Sequence, residues 1–404
     1  MDLSHSAADE QFRREFQGWL EANLPREWRG DEYWAARTLD EGFELRREWE
    51  RNKALAGWAG INWPSEFGGR GGTATQKAIY DEEMARARAP QTVNNLGLTF
   101  LAPTVMAIGT DAQKRDIIPA LLRNDVIWCQ GFSEPGAGSD LAALSTRGEL
   151  QGDEFVVNGQ KVWTSNALHA DKMFALVRTD SPASSPVSGA KKHHGITMLL
   201  LDLDQPGVDI RPLKQMTGKQ HFGEVFLTDA RAPADQVLGQ IGGGWDVAML
   251  LLSFERGASA LGYYATFRRE LEEIVQIARR TPRGSGIAAD DPMIRQKIAQ
   301  AVVELEALKL HSLHILTKVE RGEELGFESS MTKLQWSETH QDIGELYMDV
   351  VGPQGWTTRS NDGAYGELFP LQESALWARS ETIWGGSSQV QRNIVAERVL
   401  GLPR

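Results

Sequence analysis

The chain has 404 residues, enough for two to three domains, with 43 Lys and Arg against 55 Asp and Glu, a net charge of −12. So acidic a protein is a poor match for nonspecific nucleic-acid binding, and no stretch approaches the ~20 apolar residues of a membrane span. A single cysteine, Cys129, excludes an internal disulfide and Cys-rich zinc or iron–sulfur sites. Its neighbours Val126, Ile127 and Trp128 are apolar, which places it in packed interior. The N-terminal MDLSHSAADEQFRREF has no basic segment leading into an apolar one, so the expectation is a cytoplasmic protein.

In chain order, residues 1–125 read as helical. Phe12, Phe16 and Leu20 repeat at helical spacing until Pro25 stops the pattern. Trp63-Pro64 opens a glycine-rich stretch with Gly68, Gly69, Gly71 and Gly72. It lacks the Lys-Ser/Thr of a phosphate loop and reads as a shaped turn. Thr110 and Gln113 form a capping-box pattern for the next helix.

Residues 126–240 change texture. Phe155-Val156-Val157, Asn158-Gly159 and Lys161-Val162-Trp163 predict a β-hairpin turning at Asn-Gly. Further strands are expected at 173–177, 197–203 and 225–227, with a turn at Pro206-Gly207. Residues 181–194 are rich in Ser, Pro, Lys and His and read as an exposed loop. His193 and His194 lack a further ligand at metal-site spacing. Residues 241–404 are helical again. Asp291-Pro292 starts a helix whose apolar face runs through Ile294, Ile298, Val302, Leu305 and Leu308, and Gly322 is its stop. Helices, then strands, then helices argue for an α+β architecture rather than an alternating one.

The most informative segment is 130–140, QGFSEPGAGSD, which follows an apolar strand. Three glycines, a proline and two serines in so short a span let backbone N–H groups approach a phosphate or a planar ring. EPGAGSD at 134–140 and NGQKVWTSNA at 158–167 resemble paired signatures of the acyl-CoA dehydrogenase family. So do WPSEFGG at 63–69, GTDAQKRDIIPALL at 109–122, FGEVFLTDARAPADQVLG at 222–239 and SSQVQRNIVAERVLG at 387–401. The segments stand in family order along nearly the whole chain.

The resemblance implies an acyl-CoA dehydrogenase-like fold, with an N-terminal helical domain, a middle β domain and a C-terminal four-helix bundle. It implies FAD, an acyl-CoA substrate, an electron-transferring flavoprotein as acceptor, and a homodimer or homotetramer. By motif position, Gln130, Phe132, Ser133, Gly138 and Ser139 line the flavin, with Ser133 at the ring and Gly138 and Ser139 at the pyrophosphate. Ser139 also borders the substrate. Trp163 flanks the ring and Ser165 stands near its reactive nitrogen. Ser387 and Gln389 match further FAD positions. Asp349, Gly352 and Pro353 fall in DVVGPQG, which resembles the segment that reaches FAD of a neighbouring subunit. Family members often have Gln at Asp349 and Gly at Pro353, and the Arg-x-x-Phe-Gly pattern of that region is not evident near 279–283.

Dehydrogenation needs a base at the substrate α-carbon and donors on the thioester oxygen. Many family members place a glutamate directly before a glycine in the C-terminal motif. Here that position is Gly385, in Ile383-Trp384-Gly385-Gly386-Ser387. A minority branch, including isovaleryl-CoA and long-chain enzymes, carries its glutamate on the first long helix of the C-terminal domain. Glu255 matches that site, with Leu251, Leu252, Ala258 and Ser259 at neighbouring helical positions. The blander reading of Glu255 is a structural ion pair within the bundle. Arg256 shapes the substrate site on this resemblance, and the backbone at Gly385 and Gly386 lies at the thioester. Two other readings stay open: a flavin-binding or structural partner of a hetero-oligomer, and a different flavin reaction on the same fold.

Overall fold

The computed structural model describes residues 5–30, 33–34, 36–179, 192–254, 260–323, 325–358 and 368–403. Helix α1 (Ala7–Asn23), α2 (Leu39–Leu55), α3 (Ala74–Arg86) and α5 (Asp111–Leu122) each open on a Ser or Thr whose side chain accepts from the third helical amide. In each, the residue supplying that amide returns its own side chain to the cap. Two otherwise orphaned amides are thereby satisfied. Phe12, Phe16 and Leu20 of α1 pack with Trp28, Trp49, Trp58 and Tyr80 in an aromatic core. The short α4 (Ala102–Ile108) and α5 pack instead on the sheet that follows, through Leu101, Val105, Ile118 and Leu121. The glycine stretch at 68–72 is a tight turn: a Cβ on Gly69 would lie 2.3 Å from the Trp63 carbonyl oxygen.

The sheet contains β1 (Trp128–Gly131), β2 (Arg147–Gln151), β3 (Glu154–Ser165), β4 (Lys172–Arg178), β5 (Ile196–Asp202), β6 (Val208–Leu213) and β7 (Phe222–Pro233). Its order is β1-β4-β2-β3-β7-β6, with β5 also on β4. β1 runs parallel to β4, whereas β3–β7, β4–β5 and β6–β7 are antiparallel. The expected strands at 173–177 and 225–227 lie in β4 and β7, the one at 197–203 matches β5 except for Leu203 just beyond its end, and Cys129 is fully buried.

The hairpin expected at Asn158-Gly159 is not one. β3 runs straight through it, and the chain reverses instead at Gly152, where φ is +68°. The β3–β7 register shifts between Val157 and Gly159, so Asn-Gly forms an irregularity within a long strand. The Asn158 amide exchanges hydrogen bonds with Asp229 across the ladder. A Cβ on Gly159 would lie 2.5 Å from Thr146 Oγ1, so glycine is present for close approach. Asn-Gly satisfies both demands equally, and local sequence does not separate a turn from a bulge.

The C-terminal region holds α6 (Gly244–Ser253), α7 (Ala260–Ala278), α8 (Pro292–Glu320), α9 (Glu328–Val351), α10 (Pro370–Glu381) and α11 (Ser388–Arg398). Asp291 caps α8 as expected, and Gly322, at φ +67°, follows its end. Phe267, Leu271 and Ile274 of α7 meet Ile294, Leu305 and Leu308 of α8, Ile343 and Leu346 of α9, and Leu371 of α10 in one core. A two-residue ladder, β8 (Pro282–Arg283) with β9 (Gly286–Ile287), links α7 to α8. Among the described residues, no helix is long and apolar enough to cross a membrane.

Candidate active site

The 132–146 loop leaves β1 and is held from beneath by a buried ion pair. Lys161 Nζ, on β3, donates to Glu134 Oε1 at 2.8 Å, to the Leu176 carbonyl at 2.7 Å and to the Phe132 carbonyl at 3.3 Å. Glu134 also accepts from the Ser145 amide at 2.6 Å, the Ser145 hydroxyl at 2.8 Å and the Thr146 amide at 2.9 Å. One carboxylate therefore closes both ends of the loop. Burial works against its charge, but the Lys161 ammonium and these donors overcome that and bring its pKa down to about 2. Burial lowers the Lys161 pKa as well, to about 8, against the opposing pull of Glu134. Little in the sequence signals this pair: Lys161 follows Asn158, Gly159 and Gln160 and reads as one more polar residue of β3.

The pair holds the loop's glycines in the open. Among the described residues, nothing lies within 4 Å of where a Cβ would stand on Gly136 or Gly138. Gly138 and Ser139 are exposed, whereas Phe132 is buried edge-on to Phe174. Ser133 accepts from the Val162 amide at 2.9 Å, which joins the loop to β3 one residue before Trp163. Gln130 pairs with Phe174 between β1 and β4. These contacts bring the start of the loop next to the segment of β3 that carries Trp163.

Trp163 lies on a long strand rather than after a hairpin. It holds φ +57°, uncommon for so bulky a residue, and is 59% exposed. Phe222 meets it edge-on at 6.0 Å and stacks on Trp377 of α10 at 5.9 Å. Ser165 pairs with Phe222 across β3–β7. His221 stands beside Trp377; burial, aided by Lys219 and Arg46, pushes its pKa down to about 4, so it is neutral near pH 7. An exposed indole beside an open glycine loop suits a planar ring bearing an anionic tail.

Through Trp377, α10 connects this face to the turn at 382–387. Gly385 and Gly386 both take the left-handed conformation, φ +64° and +83°. Gln391 donates to the Gly385 carbonyl at 3.0 Å, and a Cβ on Gly386 would lie 2.6 Å from Gln391 Nε2. Ser387 caps α11 through the Val390 amide, and Gln389 is exposed in its first turn. Residues 382, 383 and 387–389 line a cavity of about 610 Å³ with Glu338, Gln341, Asp342 and Arg392.

Asp349, Gly352 and Pro353 belong to a different neighbourhood. The Asp349 carboxylate pairs with Lys297, and Arg283 donates to its carbonyl at 2.9 Å. Gly352, at φ +61°, ends α9, and Pro353 is exposed beyond it. Glu255 and Arg256 lie outside the described residues, as does most of the 181–194 loop. His193, at its edge, stacks on Trp245 at 4.1 Å.

The acyl-CoA dehydrogenase N-terminal, middle and C-terminal domains match residues 6–125, 129–230 and 242–400. Acyl-CoA dehydrogenase IpdE1 of Mycobacterium tuberculosis is 45% identical over 401 residues, 98% of each chain. Two solved structures, each 30% identical and covering 100% of both chains, superpose closely. One is described as the Tcur3481–Tcur3483 steroid ACAD, with a TM-score of 0.83; the other is the ChsE4–ChsE5 complex of Mycobacterium tuberculosis, at 0.82. The fold is that of these proteins throughout: helical, then β, then helical. The chain belongs to the acyl-CoA dehydrogenase family, the FAD-dependent flavoprotein oxidoreductases.

Proposed function

We propose that the chain catalyses α,β-dehydrogenation of a bulky, steroid-like acyl-CoA thioester, with Glu255 as base and electron-transferring flavoprotein as acceptor. The observation that carries this is the open glycine loop clamped by Glu134–Lys161 beside the exposed indole of Trp163. When bound, FAD would supply the acceptor for hydride leaving the substrate β-carbon. Gln130, Phe132 and Ser133 would border its ring, with Trp163 on one face and Ser165 nearby. Gly138 and Ser139 would offer donors to its pyrophosphate, Ser139 also bordering substrate, and Ser387 and Gln389 would complete the contacts. Asp349, Gly352 and Pro353 would reach the FAD of a second subunit.

Glu255 takes the α-proton in this reading, because the residue before Gly386 is another glycine. The amides of Gly385 and Gly386 polarise the thioester oxygen, and Arg256 shapes the site. The steroid-like acyl group is supported by likeness to the steroid ACAD. A heteromeric assembly is the second reading, favoured by likeness to two proteins described by paired chains. If the partner supplied the base, Glu255→Gln would leave activity intact.

Anaerobic titration of the purified flavoprotein with straight, branched and steroid-like acyl-CoAs, followed by flavin absorbance, tests the reading. Bleaching by the steroid-like thioester is the expected result. A bound flavin that no thioester bleaches favours the partner-subunit reading.

A further inference from the structure

Three helices of the bundle converge on one buried histidine. His340, in α9, is 4% exposed. Its Nδ1 lies 2.6 Å from Glu381 Oε2 of α10, and its Nε2 lies 3.1 Å from Glu270 Oε2 of α7 and 3.0 Å from Ser374 Oγ. Phe267 of α7 stacks on the ring at 4.0 Å. Such contacts need closely packed helices, and a Cβ on Gly344, one turn along α9, would lie 2.9 Å from Ala375 Cα.

The chemistry of this ring follows from its neighbours. A carboxylate only accepts hydrogen bonds, and each ring nitrogen faces one, so both carry hydrogen and the ring is an imidazolium. Ser374, His340 and Glu381 have the spacing of a hydrolytic triad, but a general base needs a bare nitrogen. Moreover, the Ser374 hydroxyl donates to Glu270 Oε1 at 2.9 Å. Lys333, on the same helix as His340, donates to the Glu381 backbone carbonyl at 2.6 Å. Burial disfavours the ring's charge, but Glu270 and Glu381 outweigh it and raise the pKa to about 9.

Glu381 is the last residue of α10, and the turn carrying Gly385 and Gly386 follows it directly. Gln341 grips the start of that turn, donating to the Ala378 carbonyl at 3.2 Å and to Thr382 Oγ1 at 2.8 Å. On the opposite side, Glu270 belongs to the helix that begins just after residues 255–259. We propose that His340 is a positioning residue that clamps Glu381 and Glu270, and so fixes the Gly385 and Gly386 amides in register with the helix following Glu255. This deepens the function proposed above and rests on its assignment of the thioester to that turn.

The test uses the FAD-loaded protein and acetoacetyl-CoA, whose acidic α-proton makes its enolate absorbance a report of carbonyl polarisation without turnover. Wild type is compared with His340→Gln, Glu381→Gln and a control, Lys53→Met. The control breaks a buried Lys53–Glu50 pair of 2.9 Å in the N-terminal helices. Wild type should favour the bound enolate, and the His340 and Glu381 variants should lose about tenfold or more of that preference while keeping FAD. Lys53→Met should be less stable yet polarise the ligand fully. If His340→Gln does not fold, the isosteric Glu381→Gln carries the test alone. Unchanged enolate in the variants against a responsive wild type overturns the clamp. A wild type that forms no enolate overturns the assignment of the turn itself, and the clamp with it.

Discussion

Lys161→Met is the sharpest probe of the proposal that the 132–146 loop receives FAD. The substitution keeps length and apolar bulk but removes three hydrogen bonds, to Glu134, Leu176 and Phe132. Lys161 is fully buried, so water does not replace the lost partner. Glu134 retains its Ser145 and Thr146 donors but becomes an uncompensated buried anion. Breaking a buried pair from one side costs about 3–5 kcal/mol. Because Glu134 closes the 132–146 loop, on the proposed reading that cost falls on the conformation that would meet FAD. If loop ordering and binding are one event, about 4 kcal/mol weakens FAD affinity by about a thousandfold. The assay is FAD retention through gel filtration, fluorescence titration of the apoprotein with FAD, and urea unfolding. Glu134→Gln combined with Lys161→Met removes both charges, and should recover more than half of the loss, since neutralising a whole pair is milder than orphaning one member. Wild-type FAD affinity and an unchanged unfolding midpoint in Lys161→Met would refute the reasoning.

Glu255→Gln should lower kcat/KM for the bleaching thioester by about a thousandfold or more while FAD stays bound, as loss of a general base does; stopped-flow flavin reduction measures it. Gly385→Ala places a Cβ at φ +64°, a strain of about 1–2 kcal/mol, and should shift the melting temperature down while reducing flavin-reduction rate more than FAD content. Glu134 is held below its ordinary value, to about 2, so its stabilisation is complete above the unfolded carboxylate pKa and is lost as pH falls toward 2. FAD release in acid titration should follow that window in wild type and be blunted in Glu134→Gln. His340 has the opposite sign, raised to about 9. Its stabilisation is complete below the unfolded histidine pKa and lost as pH rises through 9, so the melting temperature should fall there in wild type but not in His340→Gln.

Much of this was legible in the chain because it rests on local rules. Thr110 and Gln113 are the capping box they resemble, Asp291-Pro292 opens α8, and the strands expected around Met173, Thr197 and Val225 form. Local chemistry fixes a cap within four residues, and no distant partner is needed. Asn158-Gly159 went astray for the complementary reason. Its glycine answers to Thr146, which only the folded sheet brings near. The same limit hid Lys161 and His340. Each reads as one more polar residue among polar neighbours, His340 beside Thr339 and Gln341 and Lys161 after Gln160, and its meaning lies in carboxylates contributed by other segments.

The turn at 385–386 shows why a missing residue can still be informative. A glutamate at 385 in this backbone would hold φ +64°, which costs an L-residue about 1–2 kcal/mol. Glycine holds it without strain, so losing the side chain and keeping this turn are one change rather than two. What the turn retains is its amides, fixed by Gln391 on the Gly385 carbonyl and by the Ser388 amide on the Thr382 carbonyl at 2.9 Å. An amide polarises a carbonyl whichever side chain follows it, whereas proton abstraction needs a carboxylate of the right reach. The two duties are separable, and on the proposed reading they are separated, polarisation staying at Gly385 and Gly386 and proton abstraction falling to Glu255. Glu255→Gln and Gly385→Ala should therefore fail differently. The first should leave acetoacetyl-CoA polarised in a protein that does not turn over, and the second should weaken polarisation with the base in place. Identical enolate spectra in both variants would contradict that division.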